Sequence, residues 1–183
     1  MAPLLNKIEQ VLEPIFKSLP PLPKGAKDWL AKAWPILAVV FGVLQLVAAW
    51  SLWHAGRSVN ELVDITNDWA RAYGVHSNVA HLSVFYWLAL IFLVVDAVIL
   101  LAAFPALQAR RKSGWDLLFL GAILNLVYGV FSVLDADFGG AGKLVSALIG
   151  SAIGFYVLFQ MRDVYSGKTP VANVAAKNEQ PKN

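Results

Sequence analysis

The chain has 183 residues, of which 58% are hydrophobic and 15% charged, with a formal net charge of +3 and no cysteine. Soluble domains run at roughly 45–50% apolar and about 25% charged, so this composition excludes an ordinary water-soluble enzyme and points to the membrane. The missing cysteines remove disulfides, thiolate metal sites, thiol nucleophiles and thioether haem attachment together.

In chain order, residues 4–19 place Leu4, Leu5, Ile8, Val11, Leu12, Ile15, Phe16 and Leu19 at helical spacing, with Asn6, Lys7, Glu9, Gln10, Glu13 and Lys17 on the other face. This predicts an amphipathic helix on the membrane surface with its lysines towards headgroups, or a partner-binding helix of the same shape. Pro14 is its blemish, because a mid-helix proline removes a hydrogen bond and kinks the chain. The run LPPLP at 19–23 then makes a stiff hinge, so residues 1–24 form one unit.

A bilayer core of about 30 Å needs about 20 apolar residues in a helix, and four runs qualify within 25–163: 33–53, 82–109, 117–134 and 144–161. Only one charge, Asp96, falls inside them. Of the fifteen Lys and Arg, twelve lie in the N-terminal segment, the second connection and the tail, which predicts a multi-pass protein with both termini cytoplasmic. Trp29, Trp34, Trp50, Trp53, Trp87 and Trp115 fall at the ends of these runs, where indole rings favour the interface and would act as anchors.

The first outer connection carries Ser58 followed by Glu61, a capping-box pattern. A stripe of Val59, Leu62, Val63, Thr66, Trp69, Ala70 and Tyr73 follows, and Gly74 ends it. These residues predict a separate amphipathic helix over about 58–73, lying across the outer mouth of the bundle or on the outer interface, with Trp69 as its anchor. His54, His76 and His81 sit at the same end beside Asp64 and Asp68; they are weak metal candidates, because their spacing matches no ligand pattern and a polar interface explains them without metal. The tail, 164–183, reads as disordered and cytoplasmic.

The middle of the spans carries Gln45, Asp96 and Asn125. Polar groups in hydrocarbon need partners, so these three should face one another inside a bundle. Small residues at helical spacing, Gly42 in the first span, Gly121 and Gly129 in the third, and Ser146, Gly150 and Gly154 in the fourth, mark helix-packing seams. No Lys or Arg lies in any span to pair with Asp96. It is therefore a neutral acid hydrogen-bonded to Gln45 or Asn125, acting as polar glue, or it holds a cation or a transferable proton.

The stretches PALQARRKSGWDLLF at 105–119 and GFYVLFQMR at 154–162, with the LPPLP hinge, resemble small uncharacterised four-span membrane proteins of genome-reduced bacteria. The likeness covers spans two to four best, and the long outer helix departs from the short connection of that family. It implies a bacterial cytoplasmic membrane location and carries no site residue with it. The expected fold is all-α: a four-helix transmembrane bundle with an interfacial helix at the N-terminus and an amphipathic helix in the first outer loop. No phosphate loop, zinc-binding helix or nucleophile elbow is present. The expected role is therefore non-enzymatic and without cofactor or nucleic acid: a helix-packing or scaffolding protein that associates with lipid, with itself through Gly150 and Gly154, or with other membrane proteins. The alternative is a small transporter or channel subunit using Asp96, Gln45 and Asn125.

Overall fold

The computed structural model describes residues 3–75, 79–131 and 141–166, with the side chains of Pro3, Ala141, Lys143 and Leu144 left aside. Five helices and no strand occur among them: α1 (Pro3–Lys17), α2 (Lys24–Ala72), α3 (Val84–Gln108), α4 (Lys112–Phe131) and α5 (Ala141–Tyr165). Four of these, α2 to α5, are long and apolar enough to cross a membrane, which makes the chain a multi-pass membrane protein with an all-helical fold. His76, residues 132–134 of the third apolar run and the tail beyond Ser166 lie outside the described residues.

Consecutive helices pack side by side: α2 on α3, α3 on α4 and α4 on α5, while α5 reaches back to α1 and α2. The tightest connection is the three-residue turn between α3 and α4. Arg110 takes a positive φ of 48° there, and a Cβ on Gly114 would lie 2.7 Å from the Leu107 backbone nitrogen. Only glycine lets the two helix ends approach that closely.

The core sits at the end of the bundle that carries this basic turn, α1 and the C-terminal half of α5. Leu107, Trp115, Phe119 and Met161 are its largest fully buried side chains. Trp115 stacks on Phe119 with centroids 5.1 Å apart and meets Phe159 edge-on at 5.7 Å. Its indole N–H donates to the Leu158 carbonyl at 2.7 Å. This tryptophan, expected among the interfacial anchors, is core: at 1% exposure it has no surface left to offer an interface. The turn at 109–111 folds α4 back so tightly that its first turn faces α5.

Two helices differ from the sequence expectation. The separate helix over 58–73 is the continuation of α2, which runs unbroken for 49 residues, about 73 Å at 1.5 Å per residue. Ser58 and Glu61 cap nothing, because the chain before them is already helical and Ser58 has no free helix end to satisfy. The second difference concerns α1, whose polar face is not turned wholly to solvent. Glu9 is buried, with Arg162 Nη2 2.5 Å from its Oε1, and Glu13 also pairs with Arg162. Phe16 stacks on Phe159 at 5.4 Å. The proline hinge is fastened as well, by Tyr156 donating to the Pro20 carbonyl at 2.7 Å.

Candidate functional site

Asp96 stands at the midpoint of α3 and is 6% exposed. The Gln45 side-chain N–H, from α2, donates to its Oδ2 at 2.9 Å. On the α4 side Gly121 makes the room: a Cβ there would stand 2.9 Å from Asp96 Oδ1. Gln45 Oε1 is buried with no hydrogen-bond partner among the described residues. The structure thus joins two of the three polar residues by a hydrogen bond. Asn125 is exposed, and faces the same space without bonding to Asp96 among the described residues.

That space is two cavities. One, about 510 Å3, lies between α2 and α5 and runs along Trp34, Phe41 and Gly154 to Gln45, Asp96 and Asn125. The other, about 250 Å3, lies on the side of Leu52, Tyr86 and Tyr128 and also ends on Asp96 and Asn125. Both are in or near the size range of small-molecule sites, roughly 300–1,000 Å3, and both have apolar walls relieved only by these few polar groups. Asp96 and Asn125 are the residues common to the two.

The packing glycines divide. Gly42 abuts Leu101 and Ala97 of α3, Gly121 abuts Asp96 and Ile99, and Gly129 faces Ala147 of α5, where a Cβ would stand 2.6 Å from the alanine methyl. Gly150 and Gly154 have nothing within 4 Å of a built Cβ, and Ser146 beside them is exposed. Ser146 and Gly150 therefore lie outside the seams of the described residues, while Gly154 opens on the cavity of about 510 Å3.

Sequence reasoning missed Gly56, whose Cβ position would collide with the Tyr86 ring at 2.6 Å, while the Tyr86 hydroxyl donates to the Leu52 carbonyl at 2.5 Å. A lone glycine in an otherwise helical run was the available signal. It also missed Arg162, which lies 5.9 Å over the Trp115 ring while pairing with Glu9 and Glu13.

Of the tryptophans, Trp29, Trp50, Trp53 and Trp69 are exposed and Trp34 and Trp87 half-buried. Trp53 and Trp87 meet edge-on at 5.3 Å. His54 meets Trp50 edge-on at 4.5 Å, and His81 Nε2 lies 2.8 Å from Asp64 Oδ1. No group of three potential metal ligands forms among the described residues. No protein-family model, curated protein or solved structure matches the chain.

Proposed function

We propose that the chain is a small membrane transport protein in which Asp96 takes up and releases a proton or a monovalent cation. The observation that carries this reading is the buried carboxyl shared by the walls of two cavities. An acid used only as glue needs no approach from either side, whereas a relay needs one from each. An intramembrane ionisable residue is functional by default on energetic grounds, since burying it costs roughly 2.5–3.5 kcal/mol on insertion scales.

Gln45 supports both protonation states. Its N–H donates to the carboxylate, and its unpartnered Oε1 can accept from the carboxylic acid once the amide turns over. The swap conserves shape because the amide nitrogen and oxygen are nearly the same size. Asn125, across the space on α4, offers the carrier a second amide on the path.

Reconstitution in liposomes tests the reading. Wild-type protein under an imposed pH or cation gradient gives flux above empty liposomes, and Asp96→Asn lowers it at least tenfold with the thermal unfolding profile retained. Equal flux from wild type and Asp96→Asn, or none from wild type, removes the proposal.

A second reading, a non-enzymatic scaffold of the bacterial cytoplasmic membrane, is favoured by the exposed Ser146 and Gly150 of α5, since close helix approach in lipid relies on such small residues. Gly150→Leu then reduces assembly size in mild detergent; an unchanged size removes that reading.

A further inference from the structure

Beyond the level where α3 begins, α2 continues with no other helix beside it among the described residues. Gly56 lies against Tyr86 and the Leu52 carbonyl against the same tyrosine, so the start of α3 is level with about residue 57 of α2. The remaining turns, to Ala72, extend about 22 Å further along the axis.

One side of this projection is used up by the returning chain. Asn67 clasps Val79 in both directions, accepting from its N–H at 2.8 Å and donating to its carbonyl at 3.0 Å. Asp64 holds His81, and Asn60 accepts from the Leu82 N–H at 3.0 Å. These three side chains, three or four residues apart, form a ladder that fixes residues 79–82 against one face.

The other side is bare and apolar. Ala55, Val59, Leu62, Thr66, Trp69 and Tyr73 follow one another at steps of four, three, four, three and four, and every one of them is exposed, Trp69 at 64%. This is the a/d spacing of a heptad repeat. The positions around it conform. With Val59, Thr66 and Tyr73 at a, the flanking e and g positions are Gly56, Val63, Ala70, Ser58, Ile65 and Ala72, none charged. All five charges of this stretch, Arg57, Glu61, Asp64, Asp68 and Arg71, fall at c and f on the far side.

We infer that this face is a coiled-coil seam that pairs with the same segment of a second copy of the chain. The occupant follows from the pattern and from the membrane. A helix lying on lipid needs no 3.5-residue repeat, and α2 cannot lie flat there while continuing straight from its own span. Two copies inserted with the same orientation present this segment parallel, the geometry a parallel two-stranded coil requires. Val at a with Leu at d favours two strands, and Thr66 at a central a position gives the register a polar mark. No like charges meet across the seam at e and g. Confinement to one bilayer and a preformed helix remove much of the ordering cost that defeats short coils in solution. The inference concerns a surface distinct from Asp96 and from the α5 ridge, and stands without either.

The absence of native cysteine makes the test direct. In membranes holding the full chain, Thr66→Cys on the seam and Asp68→Cys on the opposite face are oxidised with copper phenanthroline. The seam variant forms a disulfide-linked dimer within minutes, at least tenfold faster than the Asp68→Cys control. Equal rates, or no dimer from Thr66→Cys, overturn the inference. In parallel, Trp69→Glu lowers the dimer fraction of otherwise unaltered protein at least tenfold on dilution into excess lipid, while Arg57→Glu leaves it unchanged. A Trp69→Glu protein that keeps its helical circular dichroism and its dimer fraction also overturns it.

Discussion

The two ends of the bundle are built from the same helices by opposite means. At the basic end aromatic rings fill the space between α1, α4 and α5, and an arginine bridges two glutamates of α1. Towards the other end α5 turns small and exposed, with Ser146 and Gly150 facing outward, and α2 runs on past the start of α3. Asp96 lies between the two, where one cavity reaches it along Leu30, Trp34 and Leu158 of the packed end and the other along Leu52 and Tyr86 of the open end. The contrast teaches that in lipid a bundle need not be uniformly packed: with no hydrophobic force between apolar helices, closure occurs where rings and ion pairs supply contact. Elsewhere close approach is confined to glycine contacts such as Gly56 with Tyr86 and Gly129 with Ala147, and cavities remain between the helices.

The contrast breaks most severely at Trp115. Trp115→Ala removes a ring at 1% exposure, its stack on Phe119 and its bond to Leu158. The expected loss is about 3–5 kcal/mol, read as a large fall in the midpoint of thermal or detergent unfolding. Trp50→Ala, at the exposed end, changes that midpoint little. Equal losses would mean that the packed end is no more packed than the open one.

Arg162 comes next. Arg162→Met leaves Glu9 buried without its 2.5 Å partner, with only Lys112 at 3.6 Å to replace it. Breaking a fully buried pair costs about 3–5 kcal/mol, and because Arg162 is partly exposed roughly 2–3 is expected here. The readout is release of α1, seen as protease cleavage at the hinge 18–23, with the span core intact.

A matched pair of glycine substitutions sharpens the same comparison. Gly114→Ala drives a methyl into the Leu107 backbone and is expected to cost about 1–3 kcal/mol, whereas Gly150→Ala meets nothing and gains roughly 0.5–1 kcal/mol from helix propensity. Opposite signs in one unfolding assay confirm the division of the bundle.

The spans, their number and the mid-depth acid with its amide were legible because each is written locally, as a run of apolar residues or a polar residue within one. What was not legible depends on residues far apart. The periodicity of α1 puts Glu9 with the polar residues, and nothing near it reveals Arg162 more than 150 positions on. Trp115 reads as an anchor because it opens a span; only the tight turn at 109–111, enabled by Gly114, swings it into the core. Ser58 and Glu61 have the residues of a cap, yet a cap forms only where the preceding chain leaves the helix, and α2 does not. The exposed stripe from Val59 to Tyr73 is legible as a face, and the partner proposed for it is a second copy, which a single sequence does not display.

The smallest effect concerns Glu13, and it tests whether the packed end is held by charge as well as by rings. A hydrogen bond from Lys17, aided by Arg162, keeps the Glu13 carboxyl below its ordinary value of 4.5. A carboxyl lowered in the folded state binds its proton more weakly there than in the released chain, so acid favours release. Lys17 lies on α1 and stays with Glu13 when α1 is released, so only the Arg162 share of the lowering contributes to docking. That share is present above pH 4.5, shrinks as the pH falls below that value, and is gone once the pH has passed below the lowered one. The size is below about 1 kcal/mol, because Arg162 is the lesser cause and solvent reaches and screens the pair. Protease cleavage at the hinge, followed from pH 7 down to pH 3 with an acid-tolerant enzyme, should rise across that window in wild type and lose part of the rise in Glu13→Gln. Wild type and Glu13→Gln with the same pH profile would place the docking of α1 on Phe16, Leu12 and Glu9 alone.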